Sequence, residues 1–436
     1  MLRMLLLDRK CWLEHMRPDS NTGSDPPGIR LRPAEGPEAS DFFLQPGLIP
    51  IMGRIIEALA DVGYDGANLM TASYDWRLAI DEICRRDHYY EKLKMGIELM
   101  VSTNGQKVVI VTHSQGGLVT HHFLKWVEST NKSFGGNSPG WTAKHVHAIV
   151  NTAPTYLGVP KAAPCIISGE SRDTTQLGRL ESFLLERLLN KRERASLFRT
   201  WLGGFSMFPK GGRRIWGDRL VNVNGRSYTP DEMKTLSALF LSPGIQERIT
   251  YTSGIANPKD IAANDNDPRT WYNPLESRLP AGDYRIYSFY GHGLDTEVAF
   301  EYKEIEDSCT DDICVPWVLD TSQNDPIKRL QSGIYCSEGD GSVPLVSLGY
   351  MPAVAWRKHK HLNPSSVQTI VREYKHDPHT QAPLLESGPR ASDHAGILGN
   401  TEMIEDMLKV VCDFEVEEVV DRIESEITRL NINLFD

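Results

Sequence analysis

The chain has 436 residues, 40% of them apolar and 24% charged, with a formal net charge of −11. That length is enough for one large core or two smaller ones, and the composition is ordinary for a soluble globular protein. The acidic balance argues against nucleic acid as a partner and against steady attraction to an anionic membrane, and the absence of any run of about 18 apolar residues argues against a membrane span.

In chain order, Met1 to Leu7 is apolar but short. Asp8-Arg-Lys10 follows at once with no small-residue cleavage site, so a signal peptide is not predicted. Residues 15–47 are rich in Pro, Gly and charge and read as an extended segment laid over the rest. Ile49 to Val62 carries an apolar face at helical spacing. Asn68 to Ser73 reads as a strand that delivers Tyr74-Asp-Trp-Arg77 to its carboxyl end, where open α/β sheets place their ligands. Asp75 and Trp76 are therefore candidate substrate-binding residues. Residues 81–103 read as a helix.

Lys107-Val-Val-Ile-Val-Thr-His-Ser-Gln-Gly-Gly117 is the stretch around which the rest is organised. The apolar run Val108 to Val111 predicts a strand buried on both faces of a parallel sheet. A sharp turn follows with Ser114 at its tip, then a helix over Leu118 to Val127. Strand, serine at the turn, helix is the context of a nucleophile elbow, and the Gln115 backbone N–H then points where an oxyanion would form. The usual pattern is G-x-S-x-G. Here Thr112 holds the first position, where bulk is a steric cost. A further strand is predicted at Val146 to Thr152, so strands and helices alternate as in an α/β sheet.

From Ala163 to about Ala281 that alternation weakens. Helical stretches around 174–201 and 230–242 are joined by Pro209-Lys-Gly-Gly-Arg-Arg214, which reads as a solvated loop, with a basic cluster facing a phosphate head group as the alternative. The region is predicted to be a cap inserted over the sheet, and Tyr284 to Tyr290 resumes the strands. The expected organisation is thus a core over 1–162, a cap over 163–281 and a second core segment over 282–436. Two later stretches complete a candidate site. Glu338-Gly-Asp-Gly-Ser-Val-Pro344 is a glycine-flanked turn carrying Asp340, and Ser392-Asp-His-Ala-Gly396 carries His394 ahead of a C-terminal helix. With Ser114 they give the order Ser…Asp…His of α/β-hydrolases. The histidine would take and return the serine's proton, and the aspartate would fix its tautomer. His113 is too close to Ser114 to act as its base, Asp393 would diverge from its neighbour His394, and His359, His361, His376 and His379 read as exposed. Val416, Val419, Val420, Ile423, Ile427 and Leu430 form a helical apolar stripe.

Seven cysteines show no zinc spacing. Cys309 and Cys314 are placed to close a small loop, with two free thiols an equal alternative, so compartment stays undecided. Asn131-Lys-Ser133 is a single glycosylation triplet.

Several motifs carry a resemblance over nearly the whole chain. They are Leu7-Asp-Arg-Lys-Cys-Trp12, Asp25-Pro-Pro-Gly-Ile-Arg30, Tyr74-Asp-Trp-Arg-Leu78, His113-Ser-Gln-Gly116, Tyr156-Leu-Gly-Val-Pro-Lys161, Pro209-Lys-Gly-Gly212, Gly339-Asp-Gly-Ser-Val-Pro344, Leu348-Gly-Tyr-Met351 and His394-Ala-Gly-Ile-Leu-Gly-Asn400. The sequence resembles the lecithin:cholesterol acyltransferase-like family, in its phospholipid:diacylglycerol acyltransferase branch. The resemblance implies an α/β-hydrolase fold with an inserted cap. It also implies an acyl-enzyme on Ser114 that passes a phospholipid's acyl chain to diacylglycerol, with no metal and no acyl-CoA cofactor. It implies work at a membrane surface, that of the endoplasmic reticulum. The branch usually has methionine where this chain has Gln115. Family members also begin with a cytoplasmic tail, a membrane span and a strand whose Pro-Gly turn gives a second oxyanion donor. This chain starts downstream of those, so N-terminal strand or strands are expected to be missing, no second donor is found, and activity as given is expected to be weak or absent. The competing expectations are a phospholipase of the same fold and a truncated, inactive lipid-binding relative.

Overall fold

The computed structural model describes residues 8–37, 52–135, 138–175, 179–306, 314–377 and 388–435. Its strands are β1 (Val108–His113), β2 (Val146–Thr152), β3 (Val221–Val223), β4 (Arg226–Tyr228), β5 (Arg285–His292), β6 (Leu294–Glu304), β7 (Trp317–Leu319), β8 (Leu330–Gln331), β9 (Ile334–Gly339) and β10 (Gln368–Lys375). A parallel sheet runs β1-β2-β5-β10, and a mixed sheet runs β4-β3-β6-β9-β8, with β7 against β6. Parallel neighbours need crossovers. Helix α1 (Gly53–Asp61), helix α2 (Tyr89–Asn104), helix α3 (Gly116–Glu128) and helix α4 (Thr401–Val411) pack around that sheet.

Local sequence accounts for these elements. Gly105 takes a left-handed φ of 69° and closes α2 by donating to the Val101 carbonyl. Asn400 starts α4 by accepting the Met403 N–H. Helix α3 is buried from Gly117 to Val127 with only its ends outside, as a helix that is apolar most of the way round must be. One core gathers Phe123 and Val127 of α3, Ile149 of β2, Phe289 of β5, Val371 of β10 and Met407 of α4. A phenylalanine buried as fully as Phe289 contributes about 1.5–3 kcal/mol. A separate core joins Ile166, Phe205, Phe208 and Leu236 to Phe300 of β6 and Trp317 of β7.

Several expectations need correction. Residues 68–73 are not a strand: the segment pairs with no other among the described residues. Its Ala72 carbonyl accepts from the Tyr89 hydroxyl at 3.0 Å, but no strand lies beside it, because β1 is an edge strand among the described residues and both line one wide cavity. For the same reason Val108 to Val111 are half-buried rather than buried on both faces, whereas Ala148 to Val150 of β2 are buried. The predicted helix around 174–201 is interrupted where Asn190 and Glu193 form a reciprocal cap and begin a new helix, Lys191–Phe198. Strands β3 and β4 interrupt the helical part of 163–281 and join β6. Lys210 does not lie in a solvated loop; it is fully buried, donating to the carbonyls of Ser206 and Phe208. The stripe beginning at Val416 is not an α-helix. It runs irregularly along the far edge of the parallel sheet, where Arg422 N–H donates to Val371 O and Glu373 N–H donates to Arg422 O. His359 and His361 are half-buried against Phe435 rather than exposed. Cys314 is disulfide-bonded. Cys309, His379 and the Ile49 start of the first predicted helix lie outside the described residues.

Candidate active site

Ser114 sits between β1 and α3 with φ at 54°, a conformation that is uncommon for a residue with a Cβ. The turn is held from below by the Ser114 N–H, which donates to Thr152 O at 3.0 Å. Thr112 fits beneath the turn without a clash: even a Cβ on Gly116 would lie 3.4 Å from the Thr112 Cβ, at the edge of ordinary contact. The Thr112 hydroxyl is turned the other way, donating to Asn151 Oδ1 at 2.6 Å. The Gln115 N–H is at the head of α3, among the amides that an α-helix leaves without intrahelical partners and where negative charge is favoured.

Asp340 stands in the turn after β9 and is completely buried. Its Oδ1 accepts the N–H groups of Ser342 at 2.9 Å and Val343 at 2.7 Å, leaving Oδ2 for a histidine. Gly339 and Gly341 make this turn possible. A Cβ on Gly339 would overlap the Val343 carbonyl, and Gly341 has φ at 89°. His394 follows β10 through the loop ahead of α4, and its own N–H donates to the Asp340 carbonyl at 3.0 Å.

These three side chains, from segments far apart in sequence, meet. His394 Nδ1 lies 2.7 Å from Asp340 Oδ2 and Nε2 lies 2.9 Å from Ser114 Oγ. With Nδ1–H donating to the carboxylate, Nε2 is left to accept the serine proton. Asp393 points elsewhere and accepts the Gly396 N–H. His113 has a part that sequence reasoning missed. Its Nε2–H donates to the His394 carbonyl at 2.8 Å, and its ring lies 4.9 Å from that of His394. Burial, helped by the neighbouring His394, pushes its pKa down to about 3, so it stays a neutral donor. No sequence signal marks that role, since the contact spans 281 positions.

A cavity of about 1930 Å³ opens beside Ser114. Its lining includes the edge of β1 that no described strand pairs, Tyr89, Leu93 and Ile97 of α2, the segment 69–73, and Ile55 and Leu59 of α1. Trp76, Trp201 and Met207 line its end near the elbow. Trp76 is 41% exposed and stacks edge-on with Trp201 at 4.8 Å. Asp75 borders the same cavity, but its carboxylate is engaged by Arg77 and Arg86, each at 2.7 Å. Burial raises its pKa, and the two guanidiniums more than offset this, holding it below the usual carboxylate range. No helix among the described residues is long and apolar enough to cross a membrane.

Comparison with known proteins points to one family. The family model described as "Lecithin:cholesterol acyltransferase" matches residues 1–401. The chain is 37% identical over 436 residues to the phospholipid:diacylglycerol acyltransferase of Schizosaccharomyces pombe, covering 94% of this chain and 67% of the relative. It is 34% identical to the enzyme of the same name in Saccharomyces cerevisiae, covering 94% of this chain and 64% of that one. Phospholipid:diacylglycerol acyltransferase 1 of Arabidopsis thaliana is also 34% identical, over 92% of this chain and 73% of its own length. The chain thus spans about two thirds of the yeast relatives, whose names state acyl transfer between a phospholipid and diacylglycerol. With 401 of its residues inside the family model, the chain belongs to the lecithin:cholesterol acyltransferase family.

Proposed function

We propose that this chain carries the acyl-transfer site of a phospholipid:diacylglycerol acyltransferase, with Ser114 as nucleophile, His394 as general base and acid, and Asp340 as the group that orients and balances the imidazole. The observation that carries the reading is the continuous line Ser114–His394–Asp340, at 2.9 Å and 2.7 Å, at the mouth of a large apolar-lined cavity. Ser114 Oγ attacks the phospholipid ester carbonyl as its proton passes to His394 Nε2. The proton then goes to the departing lysophospholipid oxygen. In the second half the diacylglycerol hydroxyl gives its proton to His394, attacks the acyl-enzyme and restores the serine. The Gln115 N–H and the positive end of α3 stabilise the oxyanion.

The finer architecture belongs to the same proposal. Residues 163–281 act as a cap on a core made of 1–162 and 282–436, and the flank of β1 that no described residue pairs is open to a further strand. Support comes from β1 being an edge strand, from the extended segment 69–73 across the cavity, and from the buried hydroxyls of Thr71 and Ser73, which have no partner there. Such a strand would supply the second oxyanion donor. Asp75 holds the loop that presents Trp76, and Trp76 lies against the acyl chain. The site works at a membrane surface, that of the endoplasmic reticulum by resemblance. Phe183, Leu184 and Leu188, exposed along the helix Arg179–Leu188, suit contact with lipid.

The test is a product assay with sn-2-labelled phosphatidylcholine and diacylglycerol in mixed micelles. Labelled triacylglycerol that vanishes in Ser114→Ala is the expected result. Serine-dependent free fatty acid alone would make the protein a phospholipase, and no product from either protein would overturn the reading for the chain as it stands.

A further inference from the structure

The residue after the nucleophile does more than offer its backbone. The Gln115 side chain leaves the elbow and reaches the turn 203–206, which lies between the cavity and the second core. Its Nε2 donates to Gly203 O at 2.6 Å and to Ser206 Oγ at 3.1 Å, while its Oε1 accepts from the Tyr74 hydroxyl at 3.3 Å. The orientation of the amide is fixed by its partners. A backbone carbonyl can only accept, and the Ser206 hydroxyl spends its proton on Gly203 O, so the nitrogen must face both.

The turn is held closely on its other sides too. The Gly203 N–H donates to Arg77 O at 3.3 Å, and a Cβ on Gly203 would overlap the Trp76 carbonyl. Lys210 Nζ donates to Ser206 O at 2.6 Å from within the fold. Trp201 and Met207, which bracket the turn, line the cavity beside Ser114. One side chain therefore joins the elbow, the Tyr74 loop and the turn beside the cavity that opens at Ser114.

We propose that Gln115 is a positioning residue whose side chain latches the turn 203–206 to the elbow and thereby sets how the acyl-enzyme divides between an acceptor alcohol and water. The proposal rests on the acyl-enzyme reading given above. In either branch the bond between Ser114 Oγ and the acyl carbon breaks, a bond from the acceptor oxygen to that carbon forms, and the acceptor's proton passes through His394 to Ser114. The latch acts on which oxygen arrives. An acyl-enzyme persists long enough for transfer only when water is kept from it.

Two substitutions keep the backbone N–H and remove the latch. Gln115→Glu keeps the shape but turns a carboxylate oxygen toward the Gly203 carbonyl, and Gln115→Leu removes the amide and its donors. Ser206→Ala weakens the same joint from the other side. The readouts are the ratio of free fatty acid to triacylglycerol, which does not depend on the amount of folded enzyme, and hydrogen exchange of the amides of residues 204–207. Losing the two donated bonds is expected to raise that ratio about five- to tenfold and to speed exchange of the turn by a similar factor, with Ser206→Ala shifting both less. An unchanged ratio, or an equal fall in both products, would overturn the proposal. If the unsubstituted chain forms neither product, the acyl-enzyme reading fails by itself. The latch is then judged on exchange, and an unaltered turn in all three variants would remove it.

Discussion

The two flanks of β1 are built differently. On one flank the strand pairs in parallel with β2 from Val108 to His113, and beyond it lie β5 and β10. On the other it has no strand beside it among the described residues, and a cavity of about 1930 Å³ takes that place. The paired flank brings together, at its carboxyl end, the three groups proposed to do chemistry. The unpaired flank offers apolar volume and few fixed polar partners. Reacting groups need fixed positions, and sheet pairing with buried turns provides them; a long acyl chain needs room, which a fully paired sheet would not leave. The cost is an exposed strand edge, a feature natural proteins otherwise cover.

Substitutions on the paired flank should therefore strike turnover. The largest effect is expected for Ser114→Ala, a loss of about 10⁶-fold in the acylation rate, read as lysophospholipid release, with lipid binding retained in a micelle cosedimentation assay. Loss of both together would mean that the serine is needed for the shape of the cavity and would blur the contrast. Asp340→Asn comes next, at about 10⁴-fold, because an amide in that position favours the wrong imidazole tautomer. Thermal unfolding should move little, since the asparagine oxygen can still accept from Ser342 and Val343. A fall of tenfold or less would show that the carboxylate is a structural anchor.

How much of this was legible in the sequence follows the same division. The elbow, the Asp340 turn and the His394 loop were readable because each is a short local pattern with a steric reason: a serine forced to positive φ, glycines that the Asp340 turn requires, a loop ahead of a helix. The pairing partners of those patterns were not. Asn68 to Ser73 has the composition of a strand, yet strand formation depends on a neighbour's backbone, and none of the described residues provides one. The stripe from Val416 has helical spacing, but it is rich in β-branched residues and the free edge of β10 offered it a partner at Arg422. Lys210 read as solvated because charge in a glycine-rich stretch usually is; only the tertiary fold supplies the carbonyls of Ser206 and Phe208 that let it be buried.

The unpaired flank should respond in stability more than in chemistry. Asp75→Asn takes the nearest carboxylate from Arg77 and Arg86, leaving Arg86 its pair with Asp87 and the buried Arg77 only Asp25 at 3.6 Å. A loss of about 3 kcal/mol at pH 7 is expected from breaking a buried pair, measured by denaturant unfolding. The folded pKa of this carboxylate is lowered, so its contribution is complete above the unfolded value of about 3.9 and disappears as pH falls through the lower, folded value. The difference between the two proteins should accordingly begin to narrow as pH falls below about 3.9 and close only below the folded value. A difference that persists there would place the cost in packing, and the Trp76 loop would be held by shape and not by charge.

The smallest effect is expected at His113, where the two flanks meet. His113→Phe keeps the ring volume but leaves the His394 carbonyl without its donor. An unsatisfied carbonyl costs about 1–3 kcal/mol, and the part of it felt at the transition state should lower kcat about tenfold to a hundredfold. KM should be unchanged, because the lost bond lies behind the imidazole and away from the lipid. The substitution also carries a signature in pH. His113 is neutral when folded, with its pKa pushed down to about 3, whereas in the unfolded chain it takes up a proton below about 6.5. Between those values the unfolded state binds more protons, so this residue makes the protein less stable as pH falls. Phenylalanine cannot titrate, and the variant should lose stability less steeply over that interval in unfolding experiments run at several pH values. His121 and His122, also held neutral by burial with pKa values near 3, keep part of the slope in place. A variant with unaltered kcat and an unaltered slope would show that His394 is held by the Asp340 turn alone, and the end of β1 would then contribute only the serine.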